Sequence, residues 1–206
     1  MKKIVCALAL AGISQLASAQ ETLPTHSTSG EWDVGVRAAT INIDEATALS
    51  QGVEDTAYFI GFTGNYLQNN WITTLGMDIV VYDDNAEFSQ VVVGDGLFND
   101  GDVSTESSSA NGILLSVATG YQWVFGERAD VSFALQGGFS QMLYSERSID
   151  YCSNCYSEDI DVDGGLFVQA TLMKHNESID VGLFLQQYVS GDGVDNALGA
   201  HLRFRF

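Results

Sequence analysis

The residues that could carry out acid–base chemistry are few, and the sequence separates them along the chain. A hydrolytic site needs a nucleophile, a histidine base and an acid that orients the histidine. The three histidines are His26, His175 and His201. His26 lies near the N-terminus and His175 in a short connection, and no serine is tied to His201 by spacing. We therefore expect no enzymatic activity and no catalytic residues.

One run of acids has the spacing of a metal-binding loop. Asp159, Asp161 and Asp163 are followed by Gly164, as at the start of a calcium-binding loop. Such a loop has a glutamate at its twelfth position, where this chain has Ala170. We therefore expect no dedicated metal site and no cofactor. The three acids are weak candidates for loosely bound divalent cations.

Two cysteines stand close together in the pattern Cys152-Ser153-Asn154-Cys155. A redox-active pair of this spacing belongs to a strand–helix–strand unit, which the surrounding sequence lacks. Two cysteines also supply only half of the ligands of a closed zinc site. In an oxidising compartment the pair predicts a local disulfide that ties one loop.

The overall charge excludes one class of partner. The chain has 27 Asp and Glu against 8 Lys and Arg, for a net charge of −19. Binding to nucleic-acid phosphates requires clustered Lys and Arg, so we expect no nucleic-acid binding. Most of the acids lie in four long connections, where the single base is Arg147. These connections are therefore predicted to be acidic loops.

In eight segments, apolar residues alternate with other residues at a period of two. This pattern predicts β-strands, which would position the residues named above. One face of each segment is apolar, and the other is small or polar in most of them. The segments begin near Trp32, Tyr58, Trp71, Ile113, Val131, Leu166, Ile179 and Leu198. Most have close to the roughly 9–11 residues that a tilted strand needs to cross a bilayer. A soluble β-sandwich also alternates, so the pattern alone leaves both folds open.

The connections between the segments distinguish the two folds. They alternate between long and short, and the short ones lie near residues 68–70, 126–129 and 174–178. Outer-membrane barrels have tight turns on one side and longer loops on the other. The sequence therefore predicts an all-β fold, an eight-stranded antiparallel up-and-down transmembrane β-barrel. A ten-stranded barrel is an alternative, because Phe88–Val93 could form an extra hairpin.

Aromatic and charged residues fit opposite faces of such a barrel. Trp32, Trp71 and Trp123 lie on the apolar face, at strand ends beside the N-terminus or a short turn. Trp favours the membrane interface, because its ring is apolar with one polar edge. The opposite face would form the lumen, where buried charges must pair. The predicted lumen charge cluster comprises Asp33, Arg37, Asp78, Asp180, His201, Arg203 and Arg205.

The N-terminus has the three parts of a secretory signal peptide. Lys2 and Lys3 precede the apolar run Ile4–Ile13, and Ala17-Ser18-Ala19 is a small-x-small cleavage site. The run is shorter than the roughly 20 apolar residues of a membrane-spanning helix. We therefore predict a signal peptide at residues 1–19, a periplasmic segment at 20–30 and the barrel at 31–206.

The other terminus alternates as well, with Leu202, Phe204 and Phe206 on one face. This ending resembles the C-terminal signal by which barrel proteins are recognised for insertion into the outer membrane. Together with the strand count, the loop alternation and the aromatic tier, the chain from Glu31 to Phe206 resembles the small eight-stranded outer-membrane barrels of the OmpA/OmpX type. The resemblance implies location in the outer membrane of a Gram-negative bacterium, and assembly by the barrel assembly machinery.

Function is less constrained by these patterns than fold. Acidic loops favour a structural or surface-interaction role for a monomeric barrel surrounded by outer-membrane lipid and lipopolysaccharide. One alternative is a narrow channel for ions or small solutes through the charged lumen. Another is a lipid-modifying enzyme, which would require a histidine-containing triad on the lipid face, where the sequence places none.

Overall fold

The computed structural model describes residues 30–93, 103–126, 130–149, 155–191 and 193–205. Within them the chain forms eleven strands and one short helix. In chain order these are β1 (Glu31–Ile43), α1 (Glu45–Gln51), β2 (Val53–Gln68), β3 (Trp71–Asp84), β4 (Ser89–Val93), β5 (Val103–Ser107), β6 (Ser109–Phe125), β7 (Val131–Ser148), β8 (Ser157–Asp159), β9 (Gly165–Lys174), β10 (Ile179–Tyr188) and β11 (Val194–Arg205). No helix among the described residues is long and apolar enough to cross a membrane.

Eight of the strands pair in a closed ring. Their order is β6, β3, β2, β1, β11, β10, β9 and β7, and β7 pairs back onto β6. All of these pairings are antiparallel. The predicted eight-stranded antiparallel up-and-down barrel is therefore confirmed. The ten-stranded alternative is wrong, because β4 and β5 form a separate two-stranded sheet instead of entering the ring.

The two ends of the barrel differ. One end, which we call the turn end, holds the short turns, the start of β1 and the end of β11. At the β2–β3 turn Asn69 has a φ of 52°, a left-handed conformation that asparagine tolerates better than most residues. The opposite end, which we call the loop end, carries α1, the β4–β5 hairpin and β8. Long and short connections therefore lie at opposite ends.

The first long connection contains the helix α1, which the alternation analysis did not predict. Asp44 caps its N-terminus and accepts hydrogen bonds from the backbone N–H groups of Ala46 and Thr47 at 3.1 and 3.2 Å. Gly52 ends the helix with a φ of 68°, a conformation that glycine adopts at little cost. Local capping therefore organises this loop.

Side chains alternate between the exterior and the interior of the barrel along its strands. On the exterior, apolar residues such as Ile60, Phe62 and Leu183 are 60%, 66% and 63% exposed. The interior has two zones. The zone near the turn end is polar, as predicted, but the zone near the loop end is an apolar core. That core includes Ile41, Phe59, Val80, Leu114, Phe167 and Phe184, so the expectation of a small or polar inner face holds for only half of the lumen.

Candidate functional site

Five titratable side chains meet inside the barrel at the turn end. We call Asp33, His175, Asp180, Arg203 and Arg205 the turn-end cluster. Asp180 is fully buried and accepts hydrogen bonds from Arg203 at 3.0 Å and Arg205 at 2.8 Å. Arg203 Nε also lies 3.3 Å from Asp33 Oδ2. The strand register creates this proximity, because it places Asp180 opposite Arg203 and Asp33 opposite Arg205.

The arginines and acids of this cluster balance one another. Each of the two arginines contacts a carboxylate, which matters because an unpaired buried charge costs several kcal/mol. Arg205 lies at the rim, with 41% of its side chain exposed, and it also donates to the carbonyl oxygen of Asn176. Four members of the cluster were predicted from the sequence. The fifth, His175, lies in a turn as predicted, but its side chain reaches inward, which the sequence did not indicate.

A chain of hydrogen bonds crosses the lumen beside the turn-end cluster. Asp33 accepts a hydrogen bond from Asn65 at 2.7 Å, and Thr74 donates to Asn65 at 2.8 Å. Gln136 donates to Thr74 at 3.1 Å and accepts from Gln169 at 3.4 Å. The adjoining cavity measures only about 10 Å³, which is room for about one water molecule. These side chains fill the polar half of the lumen, and the search for charges missed the uncharged ones.

Arg37 and Asp78 form a second, separate ion pair further into the lumen. Arg37 donates to both carboxylate oxygens, at 2.8 and 2.5 Å, and both residues are buried. The strand between them contributes Gly61, which is registered opposite each. A Cβ at Gly61 would lie 2.3 Å from Asp78 Oδ1. Glycine therefore leaves the space that this pair occupies.

His201 belongs to neither ion pair. Its Nε2 lies 2.9 Å from the hydroxyl of Thr63, and the residue is buried. The predicted lumen charge cluster is thus divided into three parts. They are the turn-end cluster, the Arg37–Asp78 pair, and His201 with its hydroxyl partner.

Ser132, His175 and Asp180 have the spacing of a serine-hydrolase triad. His175 Nε2 is 2.8 Å from Ser132 Oγ, and His175 Nδ1 is 2.9 Å from Asp180 Oδ2. The second contact is short but poorly aligned for a hydrogen bond. Ser132 is 1% exposed and borders the 10 Å³ cavity, so a substrate carbonyl has no room beside the hydroxyl. We interpret the three residues as structural, because their contacts help to close the lumen at the turn end.

At the loop end, a buried arginine joins three parts of the chain. The Nε–H group of Arg147 on β7 is shared between the two carboxylate oxygens of Asp84 at 2.8 Å each, and Nη2 donates to the carbonyl oxygens of Gln51 and Gly52 at 2.9 and 3.2 Å. The carboxylate of Asp84 compensates the charge of the guanidinium, which is 1% exposed. Arg147 therefore fixes the end of α1 against β3 and β7.

A β-bulge aims Arg147 inward. Ile113 pairs with Tyr144 but Leu114 pairs with Met142, which leaves Leu143 as the extra residue on β7. A bulge of this kind shifts the alternation by one residue, so Arg147 is buried where uninterrupted alternation would expose it. The sequence analysis treated Arg147 as a loop base and missed this role, because alternation gives no sign of a bulge.

The weak metal candidates do not form a site. Asp159 and Asp161 are exposed, whereas the Asp163 carboxylate accepts hydrogen bonds from the Met142 backbone at 3.1 Å and from the Gln141 side chain at 2.9 and 3.0 Å. Nowhere in the described ranges do three His, Cys, Asp or Glu residues form a group that could hold a metal ion. Loose binding of divalent cations stays a prediction.

The predicted disulfide and assembly signal lie partly outside the described residues. Cys155 is disulfide-bonded, but Cys152 lies outside them, so the Cys152–Cys155 pairing stays a prediction. Leu202 faces outward and is 39% exposed, and Phe204 is half-buried. Phe206 also lies outside the described residues.

The outer surface of the barrel has an aromatic tier at the turn end. Trp32 and Trp71 are 64% and 58% exposed, and Trp123 is half-buried. Ring centroids lie 5.0 Å apart for Trp32 and Tyr66, and 5.0 Å apart for Trp123 and Tyr121. Beyond this tier the exterior is apolar. We call its exposed side chains the apolar belt: Val34, Tyr58, Ile60, Phe62, Leu75, Met77, Ile79, Val81, Leu115, Val117, Phe139, Leu166, Val168, Leu172, Val181, Leu183, Leu185, Leu198 and Leu202.

Comparison with known proteins shows likeness in fold only. No family model and no curated protein matches the chain. One similar solved structure is Ail, the attachment invasion locus protein of Yersinia pestis, in complex with the heparin analogue sucrose octasulfate. It is 11% identical, with a TM-score of 0.45, and the match covers 86% of this chain and 99% of Ail. Another is Neisserial surface protein A, 13% identical, with a TM-score of 0.47 and the same coverage. Both are small eight-stranded outer-membrane barrels, and the closed ring described above has the same strand number.

The turn-end cluster predicts that replacing two different aspartates by alanine has very different effects on the free energy of unfolding. Asp180→Ala would leave Arg203 and Arg205 without their shared carboxylate, and we expect the free energy of unfolding to fall by about 3–5 kcal/mol. Asp161→Ala, at an exposed loop-end acid, should change it by less than about 0.5 kcal/mol. Urea unfolding in detergent micelles, followed by Trp fluorescence, measures both. Equal losses in the two variants would contradict the assigned pairing.

The buried position of Ser132 predicts that its hydroxyl does not react with reagents that label activated serines. A fluorescent alkyl fluorophosphonate, which reacts with activated serines, should not label the folded barrel, because the reagent cannot enter a cavity of this size. Chymotrypsin treated in parallel shows that the reagent is active. Labelling that disappears in Ser132→Ala but persists in Ser140→Ala, a second buried serine of β7, would show instead that the triad is active.

Proposed function

We propose that this chain is an outer-membrane protein of a Gram-negative bacterium, in which a closed barrel anchors an acidic loop end that interacts with other surfaces. The main observation behind the proposal is that the barrel has an apolar exterior and a charged interior, the reverse of the arrangement in a soluble protein. Its exterior is the apolar belt, and the charges of the same strands, such as Arg37, Asp78 and Asp180, are buried inside. Soluble proteins rarely expose contiguous apolar patches above a few hundred Å², whereas lipid requires such a surface.

The closed strand ring supports the same location. A bilayer core offers no water to unpaired backbone groups, so a spanning sheet must have no free edge. The predicted signal peptide would export the chain, and Leu202, Phe204 and Phe206 would mark it for assembly. Short turns of such barrels face the periplasm and longer loops face outward. The turn end would then be periplasmic, and the loop end extracellular.

The filled lumen favours an anchor over the two alternatives. A channel needs a continuous aqueous path, but the polar half of this lumen is occupied by the turn-end cluster and the hydrogen-bond chain from Asp33 to Gln169. The other half is the apolar core around Phe59 and Phe184. A lipid-modifying enzyme needs a nucleophile that lipid can reach, and Ser132 is buried inside. We therefore propose a non-enzymatic, non-conducting barrel.

The charge of the loop end favours particular partners. Its exposed acids are Glu45, Glu54, Asp55, Asp83, Glu87, Glu106, Glu158, Asp159 and Asp161, whereas its base Arg147 is buried. The resulting negative field attracts positively charged surfaces and repels polyanions. A ligand such as the heparin analogue in the Ail structure would be repelled here. Lipopolysaccharide would then contact the loop end through bridging divalent cations, and lipid would surround the belt.

The filled lumen predicts that the barrel conducts no ions across a bilayer. Purified barrel reconstituted into planar bilayers should give no discrete conductance steps in molar potassium chloride, because side chains of the described residues occupy both halves of the lumen. A porin inserted under the same conditions provides the positive control. Reproducible steps from the purified barrel that are absent from a mock preparation without the barrel would establish the channel alternative.

The acidic loop end predicts charge-selective binding. Barrel in nanodiscs should bind a cationic oligolysine peptide and should not bind heparin, and the oligolysine affinity should fall with salt. The double variant Glu87→Gln/Glu106→Gln should bind oligolysine roughly threefold more weakly, since an exposed ion pair contributes up to about 1 kcal/mol. Glu31→Gln/Glu177→Gln removes two exposed acids at the turn end and serves as the control. If both double variants bound oligolysine equally weakly, the loop end would not be the preferred binding surface.

A further inference from the structure

The apolar belt is interrupted by a groove near the turn end. The groove has a volume of about 720 Å³, within the roughly 300–1,000 Å³ typical of small-ligand sites. It crosses five neighbouring strands in the order β11, β1, β2, β3 and β6. Its apolar lining includes Val34, Phe62, Gly64, Leu75, Met77 and Phe204, and among the described residues no charged one borders it.

Gly64 creates the depth of this groove. It faces outward on β2, registered between Val34 of β1 and Leu75 of β3. A Cβ at this position would meet no atom within 4 Å. On either side Phe62 and Leu75 project outward and are 66% and 52% exposed. The groove is therefore a place where the belt lacks one side chain, and its walls are the neighbouring apolar groups.

We propose that this groove binds one acyl chain of a phospholipid from the leaflet at the turn end. The inference rests on the proposed location in a bilayer. In that setting an empty groove would lose the dispersion contacts of its lining, and a flexible hydrocarbon chain restores them. Polar ligands are disfavoured, because the lining offers them no charged partner.

The dimensions and position of the groove fit an acyl chain. Four strand spacings of about 4.8 Å give a length of about 19 Å. One leaflet contributes about 15 Å of hydrocarbon, and a groove perpendicular to tilted strands runs obliquely through it. Trp32 and Tyr66 lie two residues beyond Val34 and Gly64 toward the turn end. Their rings mark the interface where the headgroup of such a lipid would lie.

A second copy of the barrel fits the groove less well. The groove is concave, and the exterior of a barrel is convex, so two barrels in contact would leave the floor at Gly64 uncovered. A single chain can follow the floor between Phe62 and Leu75. We therefore assign the groove to lipid, and dimer formation becomes an outcome that the experiment must detect.

The test uses two outward glycines that differ in position. Gly64→Leu places a side chain on the floor of the groove and so blocks the path of an acyl chain across it. Gly137→Leu is the matched control, because Gly137 faces outward on β7, away from the groove, and a Cβ there also meets no atom within 4 Å. Leu75→Trp fills the groove from one wall and replaces Gly64→Leu if that variant does not assemble. Each barrel is reconstituted in dimyristoyl phosphatidylcholine nanodiscs and released in native mass spectrometry under increasing collisional activation.

We expect wild type and Gly137→Leu to retain one phospholipid after the other lipids have dissociated. In Gly64→Leu the one-lipid species should fall about tenfold, as expected when roughly two methylene groups lose their contacts. Equal retention in all three proteins would overturn the assignment. So would dimers of wild type that disappear in Gly64→Leu.

A second measurement separates this inference from the proposed function. In nanodiscs whose acyl chains are brominated, the Trp residues of the aromatic tier should be quenched equally in all three proteins if the barrel spans the bilayer. Quenching without a difference in lipid retention refutes the groove assignment alone. Absence of quenching in all three refutes the bilayer location, and the acyl-chain site with it.

Discussion

Burial of charged side chains in a narrow barrel requires each charge to find a partner, and this requirement constrains most of the structure. Asp180 is fully buried and lies opposite Arg203 in the pairing of β10 with β11, and Arg203 also reaches Asp33 on β1. A register slip of one residue would turn every side chain of a strand to the opposite face. It would carry Arg203 into the apolar exterior and leave Asp180 unpaired. The ion pairs therefore stabilise the observed register of β11 with its neighbours β10 and β1, where the first and last strands close the ring.

The same constraint explains why the lumen is filled. Eight strands enclose a space that side chains can occupy completely, and charges in it are stable only when surrounding groups complete their hydrogen bonds. In the polar half Asn65 supplies such a bond to Asp33, and Thr74, Gln136 and Gln169 extend the hydrogen-bond chain from Asn65 across the lumen. The apolar core then fills the other half. A barrel that satisfies its buried charges in this way has little room left for water or substrate, although Ser132, His175 and Asp180 have triad spacing.

The sequence was sufficient where side-chain alternation decides the structure, and insufficient where a local irregularity does. Alternation predicted eight strands, their outward faces and the inward direction of Asp33, Arg37, Asp78 and Asp180. It did not predict the inward direction of Arg147, because that depends on one extra residue, Leu143, in β7. His175 was missed for a related reason: it lies in a turn, where alternation assigns no face. The helix α1 depends on capping by Asp44 and Gly52, a local signal that a search for strands does not consider.

The interior pairing also determines the charge of the surface. Arg37 and Arg203 are buried against acids of the lumen, and Arg147 is buried against Asp84 at the loop end. These three bases therefore contribute little positive charge to the outside of the barrel. Acids greatly outnumber bases in the chain, and most of the remaining acids lie in the long connections. Each buried arginine is paired with an acid, so these pairs are neutral as units, and the negative charge of the loop-end surface comes from the remaining exposed acids. The base of the long connections, Arg147, therefore has a structural role at the loop end: Asp84 compensates its charge, and its other hydrogen bonds hold α1 against β3 and β7.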